Sequence, residues 1–167
     1  MKDLEGFEEL ANALMHMDKT LSDKELSKAT RQGAEIVRKA IRSRAPVDFG
    51  DLRGGIILHK EKSRTKGKVG YDVYMDPKKN SMFQKPIMNP VRSKTPYGYY
   101  PASQEYGFFT RRADGGMTFT KSDGSAVTIN KVPGKHYMLA GAETVGEVAK
   151  TEVGKAILEI VEKGLED

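Results

Sequence analysis

The residues that could do chemistry in this chain are few and scattered. Three histidines, His16, His59 and His136, fall in separate segments without His-x-x-x-His or Glu-x-x-His spacing, so only the fold could assemble a metal site from them. Cysteine is absent, which removes disulfides, thiolate ligands and thiol nucleophiles together. The acid pairs Asp48 with Asp51 and Glu105 with Glu143 suit general acid and base work in type, but a chain with 31% charged residues supplies such pairs by chance. No Gly-x-x-x-x-Gly-Lys-Ser/Thr, Gly-x-Gly-x-x-Gly or Gly-x-Ser-x-Gly run is present to cradle a phosphate or expose a nucleophile. The expectation is no catalysis, no cofactor and no metal. Asp48 then reads as a turn former, Gly50 as the supplier of an unusual φ, and Arg53 as a tie from that turn to a carboxylate.

Charge is the stronger signal. The net charge is +5, but from Lys60 to Lys94 ten basic residues face three acids, while from Glu143 to Asp167 seven acids face three lysines. Within the basic part Lys60, Lys62, Arg64, Lys66 and Lys68 alternate, so extended backbone would put them on one face, as possible contacts to phosphates. The plainer account is a solvated hairpin tip whose charges discourage edge pairing. Tyr97, Tyr99 and Tyr100 would stack on bases if the strip met nucleic acid, but no RNP-like arrangement accompanies them.

At 167 residues and 38% hydrophobic content, one domain spanning 1–167 is expected. Leu4, Phe7, Leu10, Ala11 and Leu14 form a stripe that predicts a short helix over 4–17. Ser22 and Glu25 form a capping box ahead of Leu26, Ala29, Gly33, Ile36, Val37, Ala40 and Ile41, which predicts a long helix ended by Pro46. Strands are predicted over 52–60 and 68–75, and a hairpin over 117–120 and 126–129 across Asp123-Gly124. A last helix is predicted from Tyr137 or Ala142 to Lys163, its apolar face laid on the sheet. Between the strand pairs, residues 76–101 hold five prolines and read as a long basic loop without regular structure. Its apolar members Met82, Phe83, Ile87 and Met88 mark it for contact with a partner. The fold class is therefore α+β: an antiparallel sheet packed against a long N-terminal helix and a C-terminal helix. The acidic first nine residues are unlike a signal peptide and no apolar run nears the ~20 residues of a membrane span. A cytoplasm-like setting without a membrane is expected.

Two signatures stand out: Ala45-Pro46-Val47-Asp48-Phe49-Gly50-Asp51-Leu52-Arg53, and Tyr100-Pro101-Ala102-Ser103-Gln104-Glu105-Tyr106-Gly107. With Pro133-Gly134-Lys135-His136-Tyr137-Met138-Leu139-Ala140 leading into the last helix, their order resembles the neck or tail-component family of tailed bacteriophages, the gene-ten product family of phage Hong Kong ninety-seven. The likeness runs over roughly residues 20–165. The departures are Phe49 where Thr is common, Gly54-Gly55 in place of a polar-Ser pair, Pro101 as one extra residue between Tyr and Ala, and Phe108 after Gly107.

The resemblance implies a virion structural protein at the head-to-tail junction, for neck formation or tail completion, made in the host cytoplasm and assembled as a homo-oligomeric ring. Its partners would be further copies and other neck, head-closure, tail-tube or terminator proteins, with nucleic acid only as the passing genome. Candidate assembly residues are Arg53, Met82, Phe83, Ile87, Glu105 and Tyr106, with Arg53 and Glu105 able to pair within one chain or between copies. The alternatives are a nucleic-acid-binding module using the basic 60–94 region, and a small hydrolase or nuclease requiring Asp48, Asp51, Glu105 or a histidine to converge on a metal.

Overall fold

The computed structural model describes residues 22–47, 50–65, 67–86, 97–110 and 117–166. The helix predicted over 4–17 lies outside them. Helix α1 spans Asp23–Arg44 and opens as its sequence requires, with the Glu25 amide donating to Ser22 Oγ at 3.4 Å. Next come a short helix α2 (Asp51–Gly55), strands β1 (Ile56–Lys60) and β2 (Tyr71–Met75), a 3-10 turn (Pro77–Lys79) and α3 (Asn80–Phe83). Strands β3 (Gln84–Pro86) and β4 (Tyr97–Tyr99), helix α4 (Tyr100–Tyr106), strands β5 (Gly107–Thr110), β6 (Met117–Thr120) and β7 (Ala126–Pro133), and helix α5 (Tyr137–Glu166) complete the order. The chain is α+β, with small antiparallel sheets between two long helices in the sequence.

Cα packing divides the chain into two compact units. The first takes in Met1–Ala40, Ile57–Tyr74 and Gly141–Asp167. Here α1 and α5 approach closely at Gly33, where an added Cβ would strike Val153 Cγ2 and lie 2.9 Å from the Ala149 carbonyl oxygen. Ala29 and Ala149 are buried, and the Ser27 and Tyr71 hydroxyls share a hydrogen bond at 2.7 Å. The Gly67 amide donates to Asp23 Oδ1 at 2.9 Å, so the β1–β2 loop is held to the start of α1.

The second unit takes in Ile41–Ile56 and Met75–Ala140. Its core is Ile41, Ala45, Leu52, Ile56, Phe83 and Tyr137, all at most 3% exposed. Phe83 presses on Gly55, whose missing Cβ leaves room for the ring, and meets Tyr99 edge-on with centroids 6.1 Å apart. The Gly54-Gly55 departure thus has a packing cause: a side chain at residue 55 would collide with Phe83 and Met75.

Several expectations are corrected. Residues 51–55 are helical, because Gly50 at φ 79° turns the chain and sends Leu52 into the core. The strand predicted from residue 68 begins at Tyr71. Within the 76–101 segment the described residues are 76–86 and 97–101, and all but Asp76 carry regular structure. Asp76 caps the 3-10 turn through the Lys78 amide with Pro77 in its first turn, a pairing that starts helical structure although each residue alone reads as a breaker. β3 and β4 then pair antiparallel, Gln84 opposite Tyr99. Strand β5 was not expected, and α5 starts at Tyr137 and runs to Glu166. In the first unit α5 meets α1 at Gly33.

The close approach at Gly33 has a measurable sign. Gly33→Leu overpacks the crossing at a cost of about 1–3 kcal/mol, outweighing the gain of up to about 1 kcal/mol from replacing a helical glycine. Gly154→Ala, where nothing lies within 4 Å of the new methyl, keeps only that gain. Urea denaturation should therefore move the midpoint down for the first variant and up for the second.

Candidate assembly surface and the motifs that frame it

The first signature folds into a cap for α1. The last carbonyls of a helix have no partner within it. Arg53 supplies one: Nε donates to the Ala45 oxygen and Nη2 to the Ser43 oxygen, both at 3.1 Å. Arg42 extends the tie, its Nε reaching the Ile56 oxygen at 3.1 Å. Ala45 is 1% exposed, so the residue before Pro46 must be small. Asp48 and Phe49 lie outside the described residues.

The second and third signatures meet each other. Glu105 is 5% exposed, and its carboxylate accepts the Met138 amide on Oε2 at 2.9 Å and the Leu139 amide on Oε1 at 3.2 Å. Those amides belong to the first turn of α5, where N–H groups lack helical partners and the dipole favours negative charge. Backbone bonds flank the carboxylate: the Lys135 amide donates to the Gln104 oxygen at 2.7 Å and the His136 amide to the Glu105 oxygen at 3.1 Å. The two segments touch so closely that a Cβ on Gly134 would collide with the Glu105 oxygen and one on Gly107 with the Val132 oxygen. Gly107 also needs φ 87°. Tyr137 is buried beneath this joint, its hydroxyl 3.8 Å from Met75 Sδ, and burial, aided by the nearby Glu105 charge, holds its phenol well above the ordinary range.

Arg53 and Glu105 therefore spend their charges on backbone groups within the chain, and not on each other. Of the remaining candidates, Met82 is 48% exposed and Tyr106 73%, whereas Phe83 is a core residue with no side chain to offer a partner. Ile87 lies outside the described residues. Lys60, Lys62, Arg64 and Lys68 are exposed, but strand geometry stops at Lys60 and a turn closes through the Thr65 oxygen, accepting from the Lys68 amide at 3.3 Å. Pairing continues one residue further, the Glu61 amide donating to the Gly70 oxygen at 2.9 Å, before the turn interrupts the run; Lys66 is not among the described residues. His59 is exposed and packs edge-on against Tyr74, and His136 is exposed at the joint. Among the described residues no three His, Cys, Asp or Glu side chains are placed to hold a metal. A cleft of about 100 Å³ lined by Pro46, Leu52, Met82 and Tyr100 is smaller than the ~300 Å³ at which ligand sites usually begin.

What the sequence reading missed is an apolar surface that begins where the joint ends. Tyr106, Phe108 (41% exposed) and Phe109 (67%) follow closely after Glu105, and Leu139 (55%) is exposed at the same joint, its amide bonded to Glu105. Its signal was present in Gly107-Phe108-Phe109-Thr110, a charge-free run of β-forming residues that was absorbed into the motif before it.

Two measurements test the joint. Glu105→Ala strands two amides and should cost about 1–3 kcal/mol of stability, with Glu105→Gln, which keeps one acceptor oxygen, losing less in the same thermal melt. The raised Tyr137 phenol sets a pH window. The unfolded chain ionises near the ordinary tyrosine value of about 10 before the folded chain does, so this contribution is intact below that pH and is lost as pH rises above it. Tyrosinate absorbance should show at least one of the seven tyrosines titrating only as the fold is lost.

Residues 8–103, more than half of the chain, match one family, described as Bacteriophage HK97-gp10, putative tail-component. The matched range holds the whole first signature and the start of the second, and ends before Glu105 and the third. No curated protein and no solved structure matched. The chain belongs to the HK97-gp10-like family of bacteriophage tail components.

Proposed function

We propose that this chain is a non-catalytic structural subunit of the phage head-to-tail junction, acting in neck formation or tail completion and assembling with copies of itself into a ring. The observation that carries this reading is the exposed apolar run Tyr106, Phe108 and Phe109 with Leu139, set on a joint whose charged residues are already satisfied. Large apolar side chains left exposed on both faces of a strand favour burial against a partner. Charge supports a head-to-tail contact. The cations Lys60, Lys62, Arg64 and Lys68 are exposed, and α5 carries six glutamates against three lysines, so one copy offers each sign to the next. The assembled protein belongs in the virion, with the host cytoplasm as the place of assembly.

Removing residues 80–94 would delete the core residue Phe83, so point substitutions are the proper test. Light scattering of the purified, nucleic-acid-free protein should give a discrete species of several 18.5 kDa chains, reduced in mass by Tyr106→Glu and by added salt. A wild-type monomer that ignores phage heads and tails while binding DNA in a salt-sensitive way would instead assign the exposed cations to nucleic acid.

A further inference from the structure

In the first unit the crossing of α1 and α5 leaves an open groove of about 480 Å³ beside Gly33. Thr30, Ala34 and Val37 line it from α1, and Gly146, Val153 and Ile157 from α5. Val37, Val153 and Ile157 are only half-buried, and a Cβ built on Gly146 meets nothing within 4 Å. The volume suits a small ligand, but ligand sites orient their occupants through a few polar groups aimed at them. Each polar side chain on this groove is already engaged within the chain. Thr30 Oγ1 donates to the Leu26 oxygen at 2.8 Å, the Tyr71 hydroxyl and Ser27 Oγ share a hydrogen bond at 2.7 Å, and Lys150 Nζ pairs with Glu147 at 2.6 Å. The groove is therefore suited to apolar side chains alone.

The chain itself carries a matching segment. Leu4, Phe7, Leu10, Ala11 and Leu14 fall on one helical stripe of residues 4–17, which lie outside the described residues. A helix of that length would run roughly 20 Å, against roughly 16 Å of groove from Gly146 to Ile157 along α5. Residues 18–22 join the segment to the start of α1, and so short a connection between two helices makes them antiparallel neighbours. Charge agrees. Residues 4–17 hold three glutamates and no lysine or arginine, whereas α1 holds seven basic residues against three acids. Along the groove α5 is balanced, with Glu147 and Glu152 paired to Lys150 and Lys155.

We propose that residues 4–17 form a helix that folds back along α1 and lays its apolar stripe in the α1–α5 groove of the same chain. Counted back from Asp23 at an equal rise per residue, Leu10 comes level with Thr30, Phe7 with Gly33 and Leu4 with Ile36. Those three therefore span the stretch of α1 that lines the groove, with Phe7 set against the small residues Gly33 and Ala34. The glutamates, off the stripe, are left to solvent and to the exposed cations of α1, Lys24, Lys28 and Arg31. A second copy offers the same stripe, but the short connection holds the chain's own segment at a far higher effective concentration.

Tryptophan is absent from the chain, so Phe7→Trp introduces a single reporter. In the whole chain its emission should be blue-shifted and its quenching by acrylamide weaker than in urea, to the same extent at every protein dilution. Adding Ala34→Glu, which puts a charge on the groove wall, should restore full quenching while a cooperative melt is retained. Glu9→Trp, on the far side of the stripe, should be quenched freely with or without Ala34→Glu. A Phe7→Trp reporter quenched as freely in the folded protein as in urea would overturn the proposal. So would protection that survives Ala34→Glu, which places Phe7 elsewhere, and protection that fades on dilution, which gives the groove to a second copy. Where Ala34→Glu abolishes folding, the absence of cysteine supplies the deciding test. Phe7→Cys with Ala34→Cys should close a disulfide within one chain on mild oxidation with diamide, while Glu9→Cys with Ala34→Cys stays reduced. Equal oxidation of the two pairs, or no disulfide within the chain for the first, would overturn the proposal.

Discussion

The buried carboxylate of Glu105 is the constraint on which the second unit depends. It sits at the end of α4, 33 residues before the nearer of the two amides it accepts, and it fastens the start of α5 to the segment that becomes β5. An acceptor at a helix N-terminus is satisfied twice over, by hydrogen bonds and by the helix dipole. The backbone bonds on either side of it and the glycines at 107 and 134 allow the two segments to approach this closely. With the joint closed, Tyr137 is carried into the core and Tyr106, Phe108 and Phe109 are left outside.

Arg53 plays the matching part at the other end of the unit. By holding the Ser43 and Ala45 carbonyls it ends α1 and sets the path into β1. The two most recognisable signatures of the chain are therefore devices for ending one helix and starting another. Arg53 and Glu105 serve those ends through backbone groups of the chain itself. What the described residues leave exposed is less distinctive: a few aromatic side chains and two long helices of opposite charge balance.

This division explains what was legible in the sequence. α1 was readable because a capping box, a 3.6-residue stripe and a proline agree with one another. The hairpin of β6 and β7 was readable because Asp123-Gly124 marks its turn, with Asp123 accepting the Ser125 amide. The 76–101 segment misled because its prolines and asparagines were weighed singly, whereas Asp76 and Pro77 act together and Phe83 is claimed by a cavity that only a glycine 28 residues earlier provides. The role of Glu105 was hidden for the same reason: its partners are backbone amides, which have no signature in the sequence. Phe83 was taken for a contact residue because an aromatic side chain in a polar stretch looks the same whether its partner is the chain's own core or another molecule.

The account holds that Arg53 and Glu105 close the fold and that the proposed assembly uses the apolar side chains they leave exposed. Electron microscopy of the purified protein, alone and added to phage tails, tests this most directly. Closed rings of one rotational symmetry, with Tyr106, Phe108 and Phe109 covered by the neighbouring copy, are the predicted result. Rings in which those side chains face solvent, or a protein that stays monomeric in both preparations, would contradict it.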